Sequence, residues 1–285
     1  MVQGIGHRLL LALQKQTSRV IYFSEAKNIS LNTAVHEVRK SFKRIRALLL
    51  FCQSSEGEYV YSISQQLSEF GKNISAFRNS WVNILVLDRI SQINPHIPER
   101  KMKLLKERFM ERNRQLQQQD IVDKKTGTTI RKFMEEFEVG MPANLKVAGE
   151  QFVKEQLNLS FQSSYEIFQD ENIWNEAEKL HELRKKLKTL YYQTSFLKFS
   201  HAKFFKPKSD QLDIITEQLG EDHDLYVFLD EIKKTEYGLN FTEISIVENK
   251  INHLRVLNSN KCRPRLRQLF SESPESFAQK ITAIF

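Results

Sequence analysis

Apolar residues recur along this chain at intervals of three and four, and little in it would stop a helix. Nine glycines and six prolines in 285 residues fall well below the usual share of either. Few segments alternate apolar with polar side chains as a half-buried strand would. The sequence predicts an all-α fold. Helical periodicity covers about 4–22, 31–53, 58–92, 97–120, 128–138, 146–169, 173–199, 208–234, 241–257 and 273–284. Connectors are predicted at about 54–58, 94–98, 123–127, 138–145, 204–210 and 258–264, where Gly, Pro, Asn, Asp or Ser caps or breaks a helix. The connector around Gly140 and Pro142 is the best boundary between two halves.

Those halves repeat. A shift of 145 positions lays HEVRKSFK (36–43) on HELRKKLK (181–188), with five of eight residues identical and apolar residues exchanged for apolar ones at two more. Without a gap, the same shift lays LSEFGKNISAFRNSWV (67–82) on LDIITEQLGEDHDLYV (212–227), matching Leu67 with Leu212, Trp81 with Tyr226 and Val82 with Val227. Two regions in one register indicate duplicated helical modules. The expected architecture is two antiparallel bundles of four-helix type, related by a pseudo-two-fold axis, with both basic helices facing a shared space.

On a helical wheel at about 100° per residue, Arg39, Lys40, Lys43, Arg44 and Arg46 fall within roughly 80° of His36. Val35, Val38, Phe42, Ile45 and Leu49 take the opposite side. In the second copy His181, Arg184, Lys185 and Lys188 form the polar stripe, and Leu180, Leu183, Leu187 and Leu190 the apolar one. Tyr191 stands where the first copy has Arg46, and Tyr192 lies close to the line of the stripe. Any solvated helix carries charge outside, but it usually mixes signs, and here Glu37 and Glu182 are the only acids in the two motifs. Like charges four apart repel by a few tenths of a kcal/mol, so an anion is expected opposite. Cations repeated every turn of about 5.4 Å form a rail for a linear polyanion, arginine gripping phosphate in pairs of bonds and lysine acting as a mobile point charge. A phosphate beside either histidine would favour its charged form.

The whole chain agrees in sign, with 43 Lys plus Arg against 35 Asp plus Glu and a formal charge of +8. Cys52 and Cys262 are distant and belong to no CxxC pair, so no disulfide framework or zinc site is indicated and a reducing cytoplasm fits. The apolar run Leu9 to Leu13 is too short for a signal sequence or a membrane span. A soluble cytoplasmic protein is expected.

Other signals are weaker. His223-Asp224 has the look of a phosphohydrolase metal dyad, but two of the remaining histidines head basic stripes that would repel a divalent cation; Asp224 fits better as a partner for a nearby cation or as a helix cap. The charged segment 99–114 reads as a solvated helix face, and KCRPRLR (261–267) as a basic loop-to-helix junction. No nucleophile stands beside a base and no carboxylates pair for a two-metal site, so neither catalysis nor a cofactor is expected.

HEVRKSFKRIRALLLF and HELRKKLKTLYYQTSF, each followed about forty residues later by FRNSWV or LGEDHDLYV, resemble the two halves of the CHAD domain, the conserved histidine α-helical domain. The resemblance rests on H-x-x-R/K-x-x-K/R occurring twice and on LGEDHD, which is similar to the family's L-G-x-x-x-D. It implies a single domain over residues 1–285, with helical halves at 1–141 and 142–285 around a central basic cavity. It also implies non-enzymatic binding of inorganic polyphosphate, often on polyphosphate granules. Carried over position by position, the ligand residues would be His36, Arg39, Lys40, Lys43, Arg44 and Arg46 with His181, Arg184, Lys185 and Lys188. The chain departs from the family at Asn79, where Asp is usual, and at Tyr191, where a further basic residue is common. Contact with RNA or DNA through phosphates alone is the alternative function, and a metal-dependent phosphohydrolase the weaker one.

Overall fold

The computed structural model describes residues 4–25, 28–54, 58–92, 97–123, 125–147, 149–234 and 237–285. Among these, helices dominate: α1 (Ile5–Glu25), α2 (Leu31–Leu49), α3 (Glu58–Asn73), α4 (Ser75–Gln92), α5 (Glu99–Asp123), α6 (Lys125–Asn144), α7 (Glu150–Phe168), α8 (Ala177–Leu197), α9 (Ala202–Ile232), α10 (Phe241–Leu269) and α11 (Pro274–Ile284). The fold is all-helical apart from one short antiparallel ladder, β1 (Cys52–Ser54) against β2 (Leu145–Val147), with Cys52 opposite Val147. Several helices start where their sequence supplies a cap. Ser30 accepts the Thr33 N–H at the head of α2. Asn240 and Glu243 exchange reciprocal bonds of 2.9 Å at the head of α10.

Three predicted connectors are helical instead. Gly140 and Pro142 lie inside α6, Pro207 inside α9 and Pro264 inside α10, so the basic segment 261–267 is helix and not a junction. A proline inside a helix forfeits one backbone bond, but each of these is flanked by buried side chains: Met141 and Leu145, Phe205 and Ser209, Cys262 and Leu266. Each fully buried Leu or Phe contributes about 1.5–3 kcal/mol, enough to hold the helix together across the break. The connectors expected at 54–58, 94–98 and 123–127 lie partly outside the described residues.

Two apolar cores result. The larger gathers α1, α2, α3, α6, α7, α8, α11, the N-terminal ends of α4 and α9 and the C-terminal end of α10. The smaller is built from the C-terminal ends of α4 and α9 with the N-terminal parts of α5 and α10, around Phe109, whose ring lies 5.6 Å from Phe228 and 4.5 Å from Tyr237. Both cores draw on residues before and after the α6–α7 connection, so burial does not divide into one bundle per half. The helix order and its packing nevertheless recur. α1 packs on α2 and α6 as α7 packs on α8 and α11; α2 packs on α3 as α8 does on α9; α4 packs on α5 as α9 does on α10. Between the two sets, α2 meets α8 and α4 meets α9.

Candidate anion-binding groove

The apolar stripes read from the wheel are the buried ones. Val35, Val38, Phe42, Ile45 and Leu49 anchor α2, and Leu180, Leu183, Leu187 and Leu190 anchor α8. Anchoring these faces turns the opposite faces outward. Because α2 and α8 pack on each other, their cations converge. A groove of about 400 Å³ opens between α2, α3 and α8, lined by Arg39, Lys43, Arg46, His181, Arg184, Lys185 and Lys188, together with Ser64, Ser68, Lys72 and Tyr192.

Three of the residues expected there stand elsewhere. Arg39, Lys43 and Arg46 are i, i+4 and i+7 and form one line down α2; Lys40 and Arg44 are each one step further, about 100° round the helix. Lys40 is half-buried and within the field of Glu217, and Arg44 stacks over the Tyr192 ring at 5.6 Å. His36, one turn before Arg39, is exposed beyond the groove's lining, though Arg78, Lys40 and Lys43 act on it. Loss of water, those three cations and the opposing pull of Glu37 together leave its pKa below the usual value.

The arginines are held in the same way in both copies. Arg39 donates to the carbonyl of Gly71, and Arg184 Nε donates to the carbonyl of Thr216 at 3.3 Å. Each acceptor lies 32 residues downstream of its donor, and both pairs are related by the shift of 145. Gly220, the glycine of LGEDHD, faces the second arginine: a Cβ there would sit 2.9 Å from Arg184 Nη2 and 3.1 Å from Nε. Glycine at 220 makes room for the guanidinium.

Few acids oppose this charge. Glu37 is drawn off the ridge by Arg19 of α1 at 2.5 Å, and Glu182 is exposed. The acids that do reach the cations come from α9, remote in sequence: Asp213 and Glu217 hold Lys188 at 3.5 and 2.9 Å, and Asp224 holds Arg78 at 3.0 Å. Arg78 also donates to Asn79 Oδ1 at 3.3 Å. Among the described residues no ion pair engages Arg39, Lys43, Arg46, Lys72, Arg184 or Lys185.

The cost appears in the titration of the groove. Loss of water, then the charges of Arg184, Arg39, Arg78 and Lys188, push the Lys43 ammonium down to about 7. Groove water still reaches Lys43, which is exposed, so the crowding of cations is the firmer cause. Burial and Arg78 bring Arg39 down to about 10. His181 and His223 stack at 3.8 Å and 22°, an arrangement two imidazolium ions would resist. Burial first, then neighbouring cations, lowers His181 to about 4; burial, His181 and the same cations lower His223 to about 3. Both rings are therefore uncharged at neutral pH. His181 Nδ1 is buried without a hydrogen-bond partner.

The CHAD domain family model matches residues 11–233, which span α2, α3, α8 and α9 and hence every groove residue. The chain belongs to the CHAD domain family. No curated protein matches it. Within this CHAD domain, α10 and α11 lie beyond the matched span, yet they pack on α9 and α7 and complete both cores. On the charged helix α5, by contrast, Lys101 pairs with Glu243, Lys106 with Asp88 at 2.7 Å, and Arg114 with Glu111 at 3.0 Å. Among the described residues no three His, Cys, Asp or Glu side chains gather as a metal site would require. No described helix is long and apolar enough to cross a membrane.

Lys72 and Gly220 escaped the sequence reading of the site. A usable signal existed for each. Gly220 is the glycine of LGEDHD, the segment singled out in the sequence, and Lys72 stands one turn from Ser68 in the segment that the shift of 145 aligns with α9.

Proposed function

We propose that the groove between α2, α3 and α8 binds inorganic polyphosphate and performs no chemistry on it. One observation carries this reading: Arg39, Lys43, Arg46, Arg184 and Lys185, none of them ion-paired, line one cavity, where loss of water and the charges of Arg184, Arg39, Arg78 and Lys188 push Lys43 to about 7. A chain of phosphates would offset that repulsion, with arginines donating paired bonds and lysines following the polymer. Family membership supports the ligand, since CHAD domains are linked to polyphosphate. Lys40 and Arg44 then serve as outlying charge, and His36 as an outlying hydrogen-bonding group, none of them as groove contacts.

The same reading takes the domain as a duplication over residues 1–285, with halves 1–141 and 142–285 about a pseudo-two-fold axis. The repeated packing of the helices and the paired Arg39–Gly71 and Arg184–Thr216 bonds support it. Free, buried Cys52 and Cys262 suit a reducing cytoplasm, and polyphosphate granules are the proposed place of action.

Titration with labelled polyphosphate of defined length tests the proposal, with RNA and DNA as competitors at equal phosphate concentration. Polyphosphate should win. Displacement by nucleic acid at equal phosphate would turn the reading toward a phosphate-backbone binder. Release of phosphate in Mg²⁺ or Mn²⁺ would overturn the absence of catalysis.

A further inference from the structure

Two lysines at matching positions of the repeated sequence line the groove, and only one of them meets carboxylates. Lys43 and Lys188 are equivalent under the shift of 145, but their surroundings differ. Lys188 faces Asp213 and Glu217 of α9; the matching positions of α3 are Ser68 and Lys72, which line the groove beside Lys43. Where one half supplies two carboxylates, the other supplies a hydroxyl and an ammonium.

We propose that Asp213 and Glu217 are a tethered counter-anion that sets the affinity and position of the bound polyphosphate. Lys72 is its opposite, a further contact for the ligand. This rests on the reading of the groove as a polyphosphate site and deepens it. The carboxylates hold Lys188 from the α9 side and leave the α2–α3 wall, with Arg184 and Lys185 of α8, as the seat of the chain. To reach Lys188 as well, the polymer must displace them and accept their repulsion. Glu217 is well suited to yield. Its side chain is 70% exposed, and apart from Lys188 the charges of Arg184 and Lys40 act on it, so it spends its field on three cations of the site. Burial alone would raise its pKa, but the Lys188 bond and these cations hold it below the ordinary range, ionised at neutral pH.

Binding of one labelled polyphosphate length by the full chain tests this, using Asp213→Asn/Glu217→Gln against a control with the same change in net charge, Glu107→Gln/Glu136→Gln. The freed Lys188 should tighten binding about three- to tenfold and steepen the salt dependence by roughly one released ion; the control should change affinity less than about twofold. Ser68→Asp/Lys72→Glu, which carries the acidic arrangement into the first half, should weaken binding by about tenfold or more. Glu217→Gln alone alters an exposed side chain and keeps the test open if the double variant misfolds. Wild-type binding that neither exchange alters more than the control does would overturn this inference and leave the proposed function standing. Failure of the wild type to bind would remove both.

Discussion

Replacing Gly220 by alanine separates the groove's chemistry from the fold's stability. The new Cβ would lie 2.9 Å from Arg184 Nη2, 3.1 Å from Nε and 3.4 Å from Cζ, so the guanidinium must move. It is the far end of a flexible side chain, and moving it costs little. The main structural loss is the bond to the Thr216 carbonyl, about 0.5–1.5 kcal/mol net. Gly220 is inside α9, where alanine is favoured over glycine by about 1 kcal/mol. The two nearly cancel, and Tm should stay within a few degrees of wild type. Binding has no such compensation. A charge-assisted hydrogen bond is worth about 1.5–3 kcal/mol, and a displaced arginine that keeps part of it should lose about 1–1.5 kcal/mol, roughly five- to tenfold in Kd. Gly71 provides the control: it lines the same groove, but nothing stands within 4 Å of a Cβ there, so Gly71→Ala should leave Kd unchanged. Circular dichroism melts and polyphosphate titration of both variants measure the two effects. Equal Kd for Gly220→Ala and Gly71→Ala would refute the role given to Arg184's position, and a collapse in Tm would show that Gly220 serves packing alone.

Three other outcomes follow from the same geometry. Folded Lys43 loses its proton near pH 7, against an ordinary value of 10.5, so between those values the unfolded chain binds more protons and stability rises with pH. The penalty is complete below pH 7; Lys43→Met should raise Tm most at pH 6 and progressively less toward pH 10, measured by calorimetric melts. A bound phosphate should restore the Lys43 proton, so titration calorimetry in two buffers of different ionisation enthalpy should show proton uptake at pH 8 and weaker binding as pH rises. Arg255 grips the buried Asp222 at 3.0 and 3.1 Å, and Arg255→Met should lower stability by about 3 kcal/mol in a urea melt without touching the groove.

Much of this molecule is legible in its sequence, for identifiable reasons. The apolar lines Val35-Val38-Phe42-Ile45-Leu49 and Leu180-Leu183-Leu187-Leu190 are buried as a wheel requires, because helical period is local information. The convergence of Arg39, Lys43 and Arg46 with His181, Arg184, Lys185 and Lys188 follows from those lines being buried side by side. What the wheel could not give is the width of the groove, which admits one line of α2 and leaves Lys40 and Arg44 outside. Pro142, Pro207 and Pro264 misled because a proline's local cost is visible in sequence while the burial of its neighbours is not. Within the basic motifs the only acids are Glu37 and Glu182; those that reach Lys188 stand on α9, a helix brought alongside only by tertiary packing.

The central claim is that the unpaired cations of α2 and α8 hold one polyanion together. Titration of labelled polyphosphate at fixed salt tests it most directly, comparing Arg39→Gln/Arg184→Gln with Lys101→Gln/Lys106→Gln. Both remove two charges; only the first pair lines the groove, while the second is engaged by Glu243 and Asp88. The groove pair should weaken binding by about a hundredfold or more and the α5 pair by less than about threefold. Equal losses would mean that the chain attracts polyanions by its net charge and that the groove has no special part.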